Sequence, residues 1–554
     1  MIYYRFRQGE TPVQEHYRFA ERVGARPVLR RFCGAAMLAL MTASAAAAAD
    51  SLPAPKRGGA LDFAVDTEPG NYDCHGNVSF AALHPIAPHY SMLLKFDGTA
   101  YPQVKGDLAE SWTVSPDKLI YTFKLRPNVQ FHDGTRLTSA DVKVSYERII
   151  HPPEGVVSAR QVNYAAITSI ETPDPLTVVF KLSWPEAAML ANFASPWNCI
   201  YSAAKLKDDP LYPKTHILGT GPFSFVEHAK GDHWTGKRFD KYFLAGKPYL
   251  DGYTAHFVAG AKVIDGLRAG SIKAEFRSIT PSERDQLVEA MGEKVYIGET
   301  PWLIDLMVVF NVAKPPFDDP RVRRALSLAI DRWQAAESLS STTFLKFVGG
   351  TMRPGFAMAT PEAELTALPG FSRDIASARA EAKRLLAEAK VSGLKLKLTN
   401  RDVAMPYGPA ADYLINAWKE IGVSVTQEKL NTKEWEGALQ RRVYEVAIDF
   451  GGDYFDDPTL QLAKYVSSDL SPSNFSGSTD RFLDSLYVGQ AVTTDPRQRA
   501  KIVREFERHA LTQAYSVPFL WWNRIVAASP AMKGWNLTPS HYLEQDLAEV
   551  WLDR

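Results

Sequence analysis

Cysteine is scarce here: 554 residues carry three, which leaves room for one internal bridge and no disulfide framework. Net charge is missing as well. The 63 basic and 63 acidic side chains cancel, so neither nucleic acid nor an anionic membrane is indicated as a partner. Catalytic signatures are also absent: the chain has no G-x-S-x-G, no H-E-x-x-H and no Walker sequence. The pattern S-x-x-K occurs at Ser115–Lys118, Ser202–Lys205 and Ser392–Lys395, but no Ser-Asp-Asn or Lys-Thr-Gly accompanies it. A secreted hydrolase is therefore the weaker reading. Internal repeats and low-complexity linkers are lacking too.

What is present is apolar mass. With 45% hydrophobic and 11% aromatic residues, the chain can bury large cores and should form at least two domains. Residues 1–49 read as a signal peptide: Arg26, Arg30 and Arg31 precede a charge-free run from Phe32 to Ala49, ending Ala47-Ala48-Ala49 before Asp50. Its strongly apolar centre is short for a membrane anchor. Cleavage removes Cys33 and leaves Cys74 and Cys199 in an oxidising compartment, where a single bridge between them is expected against two buried thiols. The product is expected to be periplasmic.

Along the mature chain, Leu306, Val308 and Phe310 alternate as a strand, and Lys314-Pro315-Pro316 stops the ladder. Asp319 is a natural N-cap before Pro320, with Val322, Leu326, Ile330 and Trp333 on one helical stripe. Tyr121, Phe123 and Leu125 mark a further strand, and Thr138 with Asp141 caps the helix that follows. From Leu394 to Phe450, strands and helices alternate as in a mostly parallel α/β unit. Val517–Trp522 reads as one more strand. Gly219-Thr220-Gly221 reads as a tight turn, because no phosphate-binding Gly-Lys-Ser/Thr follows.

Phe310–Arg332, Asp107–Arg148 with its Leu-Ala-Glu-Ser-Trp step, Gly219–Phe223 and Tyr242–Asp251 together resemble the bacterial extracellular solute-binding proteins of family 5. Those proteins serve dipeptide and oligopeptide ABC transporters. The resemblance implies an α/β, two-lobed periplasmic binding protein fold of the large peptide-binding class II type, with a hinge and an interlobe ligand cleft. It places lobe 1 at residues 50–302 plus 518–554, with an inserted subdomain at about 80–215, and lobe 2 at 303–517. It implies a peptide-like ligand, a membrane permease with its ATPase as partners, a monomer, no cofactor and no catalysis. Relatives carrying opines, nickel complexes, glutathione, haem or oligosaccharides keep a non-peptide solute open.

The resemblance also suggests a site. Phe450-Gly451-Gly452-Asp453-Tyr454 leaves a strand end, and an aspartate in the position of Asp453 takes a peptide's α-ammonium group. At ~4 Å and an effective dielectric near 20 such a pair gains on the order of 4 kcal/mol before desolvation. Asp456 and Asp457 read as loop and turn carboxylates, with Asp457-Pro458 starting a helix. Glu68, Tyr72 and Asp73 sit in a loop that borders the cleft in relatives. Arg401, with Arg353 as second choice, is positioned for a ligand carboxylate. Cys74, His75, His84 and His89 raise the question of a metal, but match no closed zinc spacing.

Overall fold

Two long strands, Tyr296–Phe310 and Ser516–Ala528, organise the computed structural model, which describes residues 54–554. The expected signal peptide lies outside the described residues. The two strands pair antiparallel at the centre of an 11-stranded sheet. The second is longer than its sequence suggests, continuing through the polar pair Asn523-Arg524. Asn523 donates to Glu299 (2.8 Å), and the fully buried Arg524 donates to the carbonyls of Arg277, Phe276 and Thr538. These bonds engage Asn523 Nδ2 and the Arg524 guanidinium, so the strand continues through the polar pair.

On one side of this pair the sheet continues through Val446–Gly452, Lys395–Arg401 and Ser424–Leu430. Lys395–Arg401 is parallel to both of its neighbours, as the strand-helix-strand order demands. Leu398, Leu414, Trp418 and Ile448 close a core with Leu306, Val308 and Phe310. On the other side lie Ala274–Glu275, Ala60–Val65, Gly252–Phe257, His233–Arg238 and Phe223–Ala229, around a separate core of Leu61, Phe63, Trp234 and Tyr253. A four-stranded sheet, in the order Ala109–Val114, Ile120–Leu125, Thr177–Leu182, Ile167–Asp174, forms a third core with Phe123, Tyr146, Phe180 and Phe193. Among the described residues, no helix is long and apolar enough to cross a membrane.

Local chemistry accounts for several boundaries. Asp319 caps Pro320–Leu328 by accepting from the Arg321 amide. The single stripe expected to reach Trp333 is broken, because Asp331 caps a second helix, Arg332–Leu339. The buried Arg332 guanidinium donates to the carbonyls of Ser327, Gly370 and Pro518, serving the end of the first helix. Thr138 and Asp141 form the expected capping box. The glycines of Gly219-Thr220-Gly221 lie against backbone: a Cβ on Gly221 would fall 2.4 Å from the His89 carbonyl carbon. Cys74 and Cys199 are disulfide-bonded with Cα atoms 6.1 Å apart.

Candidate functional site

Three neighbouring strands set one wall of a cavity of about 380 Å³. Their register puts Gly451, Asp305 and Trp521 side by side. Leu303, Asp305 and Met307 follow the two-residue strand period, and all three line the cavity while Leu306 and Val308 face the core. Gly451 has a steric reason to be glycine, since a Cβ there would fall 2.3 Å from Asp305 Oδ1. The central pair is bulged at this level. From Pro301 to Asp305 one strand advances four residues while its partner moves from Asn523 to Trp521. The bulge frees the Leu303 carbonyl, which accepts the Asp453 amide at 3.3 Å.

Asp453 thus lines the cavity. Among the described residues, no hydrogen bond or ion pair engages its carboxylate, whereas Asp456, Asp457 and Asp449 are each ion-paired. Arg353 grips Asp456 through Nε (2.9 Å) and Nη2 (2.8 Å). Arg499 grips Asp457 at 2.7 and 2.8 Å, and Asp457 caps Pro458–Gln461. Asp449 pairs with Lys464. Burial raises the Asp453 carboxyl to about 7; Lys464 opposes this, while Asp305, Asp456 and Asp457 add to it. Asp305, 4% exposed, is likewise raised to about 7 by burial, and Asp449 adds to this against Lys464 and the Gly451 amide. Glu186 reaches about 7 through burial and the charge of Asp457, against the Ala188 amide and Arg499. Asn163, Asn192, Gln461, Tyr465 and Tyr487 contribute to the remaining wall.

Apart from Gly451, the other residues singled out from the sequence lie outside this cavity wall. Gly451 is in the cavity wall, but Phe450 stacks on Trp435 with ring centres 6.1 Å apart. Tyr454 turns its ring against Phe455, and its hydroxyl accepts from Asn163, a cavity residue. Arg401 donates to Thr432 (3.0 Å) and packs on Tyr407 and Trp435. Neither Arg401 nor Arg353, which is bound to Asp456, reaches the cavity as a free cation. Glu68 accepts from the Gly231 amide and bonds His228 (both 3.0 Å), and the Tyr72 hydroxyl meets the same histidine at 2.9 Å. Asp73 is locked in a buried bidentate pair with Arg148, at 2.6 and 3.0 Å. Burial would raise its carboxyl, but Arg148 and His75 bring it below its ordinary value. His75, His84 and His89 bond the carbonyls of Cys199, His541 and Phe223. Burial holds each down at about 3.

Reading the sequence missed Asp305, Lys464, Glu186 and Asn192. Asp305 carried a visible signal, as a lone charge inside the apolar run Leu303–Phe310. Glu186 and Asn192 reach the cavity from one segment and Lys464 from another, with no local pattern to mark them.

Comparison with known proteins agrees with this architecture. The glutathione-binding protein GsiB of Pectobacterium atrosepticum is 34% identical over 228 residues, 41% of this chain and 43% of that protein. The chain's match therefore spans less than half of that relative's length. The probable D,D-dipeptide-binding periplasmic protein DdpA of Escherichia coli K12 is 26% identical over 467 residues, 82% of this chain and 86% of that protein. Among solved structures, the periplasmic binding protein DppA of Helicobacter pylori in complex with the peptide STSA superposes with a TM-score of 0.73 at 21% identity, covering 90% of this chain and 99% of that one. The nonapeptide complex of AppA from Bacillus subtilis gives 0.72 at 21% identity, over 90% and 100%. These likenesses show the two-lobed periplasmic binding protein fold. The family description of bacterial extracellular solute-binding proteins, family 5, matches residues 103–471, and the chain belongs to that family.

Proposed function

We propose that this protein is the periplasmic solute-binding component of an ABC importer, exported through residues 1–49 and acting without catalysis. It captures a peptide-like solute between two lobes and presents the closed form to a permease and its ATPase. Lobe 1 comprises residues 50–302 and 518–554, with the insert at about 80–215, and lobe 2 comprises 303–517. The boundaries fall near the bulge in the central strand pair.

One observation carries the ligand reading: within a loop whose other aspartates are paired with arginines, Asp453 alone lines the cavity with its carboxylate unengaged. A cationic group such as a peptide's α-ammonium would complete it, and exposed strand-end backbone beside Gly451 and Gly452 can pair with an extended chain. Calorimetry with di-, tri- and tetrapeptides against the wild type and Asp453→Ala tests this. Binding should fall by about 10–100-fold on substitution, the range for a lost charge-assisted hydrogen bond. Unchanged peptide affinity in the variant would remove the ammonium role.

A further inference from the structure

The cavity holds more carboxyl groups than one ammonium group can answer. Asp305, Asp453 and Glu186 line it, and among the described residues the single lysine or arginine in its wall, Lys464, is already ion-paired with Asp449. A second observation, independent of charge, points the same way. Two wall side chains carry buried polar atoms with no partner: Asn192 Oδ1 and Gln461 Oε1. Asn192 is 4% exposed. Both atoms are acceptors. In each amide the nitrogen is spent, Asn192 Nδ2 on the Asn163 carbonyl (3.0 Å) and Gln461 Nε2 on Asp456 (3.5 Å), so the oxygen is what remains. Buried acceptors without donors are costly, so a donor group entering the cavity finds two unmet acceptors here.

We infer that the solute is at least a dication, bearing two or more ammonium or guanidinium groups: one on Asp453, the other answering Asp305, Glu186 and the orphan amide oxygens. This rests on the solute-binding reading above and narrows it to a ligand class. Short basic peptides and linear polyamines share that chemistry. A solute with excess carboxylate, such as glutathione with two carboxylates and one ammonium, meets like charge instead. The empty cavity can lower its own repulsion by holding protons. Asp453 faces Lys464, Asp305, Asp456 and Asp457; Asp305 faces Lys464 and Asp449; Glu186 faces Asp457 and Arg499. The raised carboxyls make protonation available near neutrality, and an arriving dication displaces those protons.

Isothermal titration of the ligand-free mature protein with trilysine, spermidine, trialanine and glutathione, repeated in two buffers of different ionisation enthalpy, tests the inference. Trilysine or spermidine should bind at least about tenfold more tightly than trialanine, since each added charge-assisted contact is worth that much or more. Binding should release protons at pH 7, and glutathione should not compete. In Asp305→Asn and Glu186→Gln the preference for trilysine over trialanine should shrink. A melting curve for each variant separates this from misfolding. Trialanine binding as tightly as trilysine overturns the dication while leaving the solute-binding reading intact. Spermidine binding without any peptide supports the dication and removes the peptide reading. Failure of all four ligands to bind overturns both.

Discussion

Two acidic loops, Glu68–Cys74 and Gly451–Pro458, look alike in sequence, each pairing carboxylates with a tyrosine and a proline, yet the fold treats them in opposite ways. In the first, Asp73 is clamped by Arg148, Cys74 is bonded to Cys199, and Glu68 and Tyr72 share His228. In the second, Arg353 and Arg499 take two aspartates and leave the third facing a cavity. A motif tells where a loop runs; whether its carboxylate already has a partner tells what it does. Charge satisfied inside the protein holds the fold, and the charge left over is the one we propose a ligand answers.

The largest effect is expected at Asp73. Asp73→Ala leaves Arg148 buried without its counter-ion, a loss of about 3–5 kcal/mol in chemical denaturation. The disulfide comes next. Its cysteines are 125 residues apart, and Cys74→Ser with Cys199→Ser should cost about 2–5 kcal/mol, in line with bridges that close long loops. Asp453→Asn should show the opposite profile: unfolding midpoint unchanged or raised, and peptide affinity lower by about 10–100-fold.

The pH response sharpens the contrast further. Asp305, Asp453 and Glu186 have folded values of about 7, above those of free carboxyls. The native state therefore holds protons that the unfolded state has already lost, and these groups favour folding below pH ~4 and progressively less as pH rises to ~7. Thermal melts of the ligand-free protein should fall across that window, and Asp453→Asn or Asp305→Asn should flatten the slope. Ligand binding should run the other way, strengthening as the carboxylates ionise. The smallest effect is expected at Arg401. Held by Thr432 and two aromatic rings outside the cavity wall, its replacement by Gln should change peptide affinity by no more than about twofold, a shift within ~0.5 kcal/mol.

Much of the fold was legible because periodicity and caps are local. Leu306, Val308 and Phe310 announced the central strand, and Asp319 and Thr138 with Asp141 marked helix starts that the structure places there. The second cap at Asp331 was overlooked because Val322, Leu326, Ile330 and Trp333 keep a helical stripe across the break. The site was legible only in part. Asp453 and Gly451 lie in one segment, but Glu186, Asp305 and Lys464 come from three others, and only the sheet register and the tertiary fold bring them together. Arg401 and Arg353 were reasonable cations for a carboxylate. Which arginines are already engaged is a tertiary fact, invisible to spacing.

The strand bulge has a mechanical consequence. The peptide unit that loses register between Pro301 and Asp305 is also the one whose carbonyl, at Leu303, holds the amide of Asp453. Bending of the two-strand ribbon there would carry the Asp453 backbone with it, because this hydrogen bond ties the loop to the irregular stretch. In the proposed solute-binding role, a cation held on Asp453 would then be tied through one hydrogen bond to the curvature of the central ribbon.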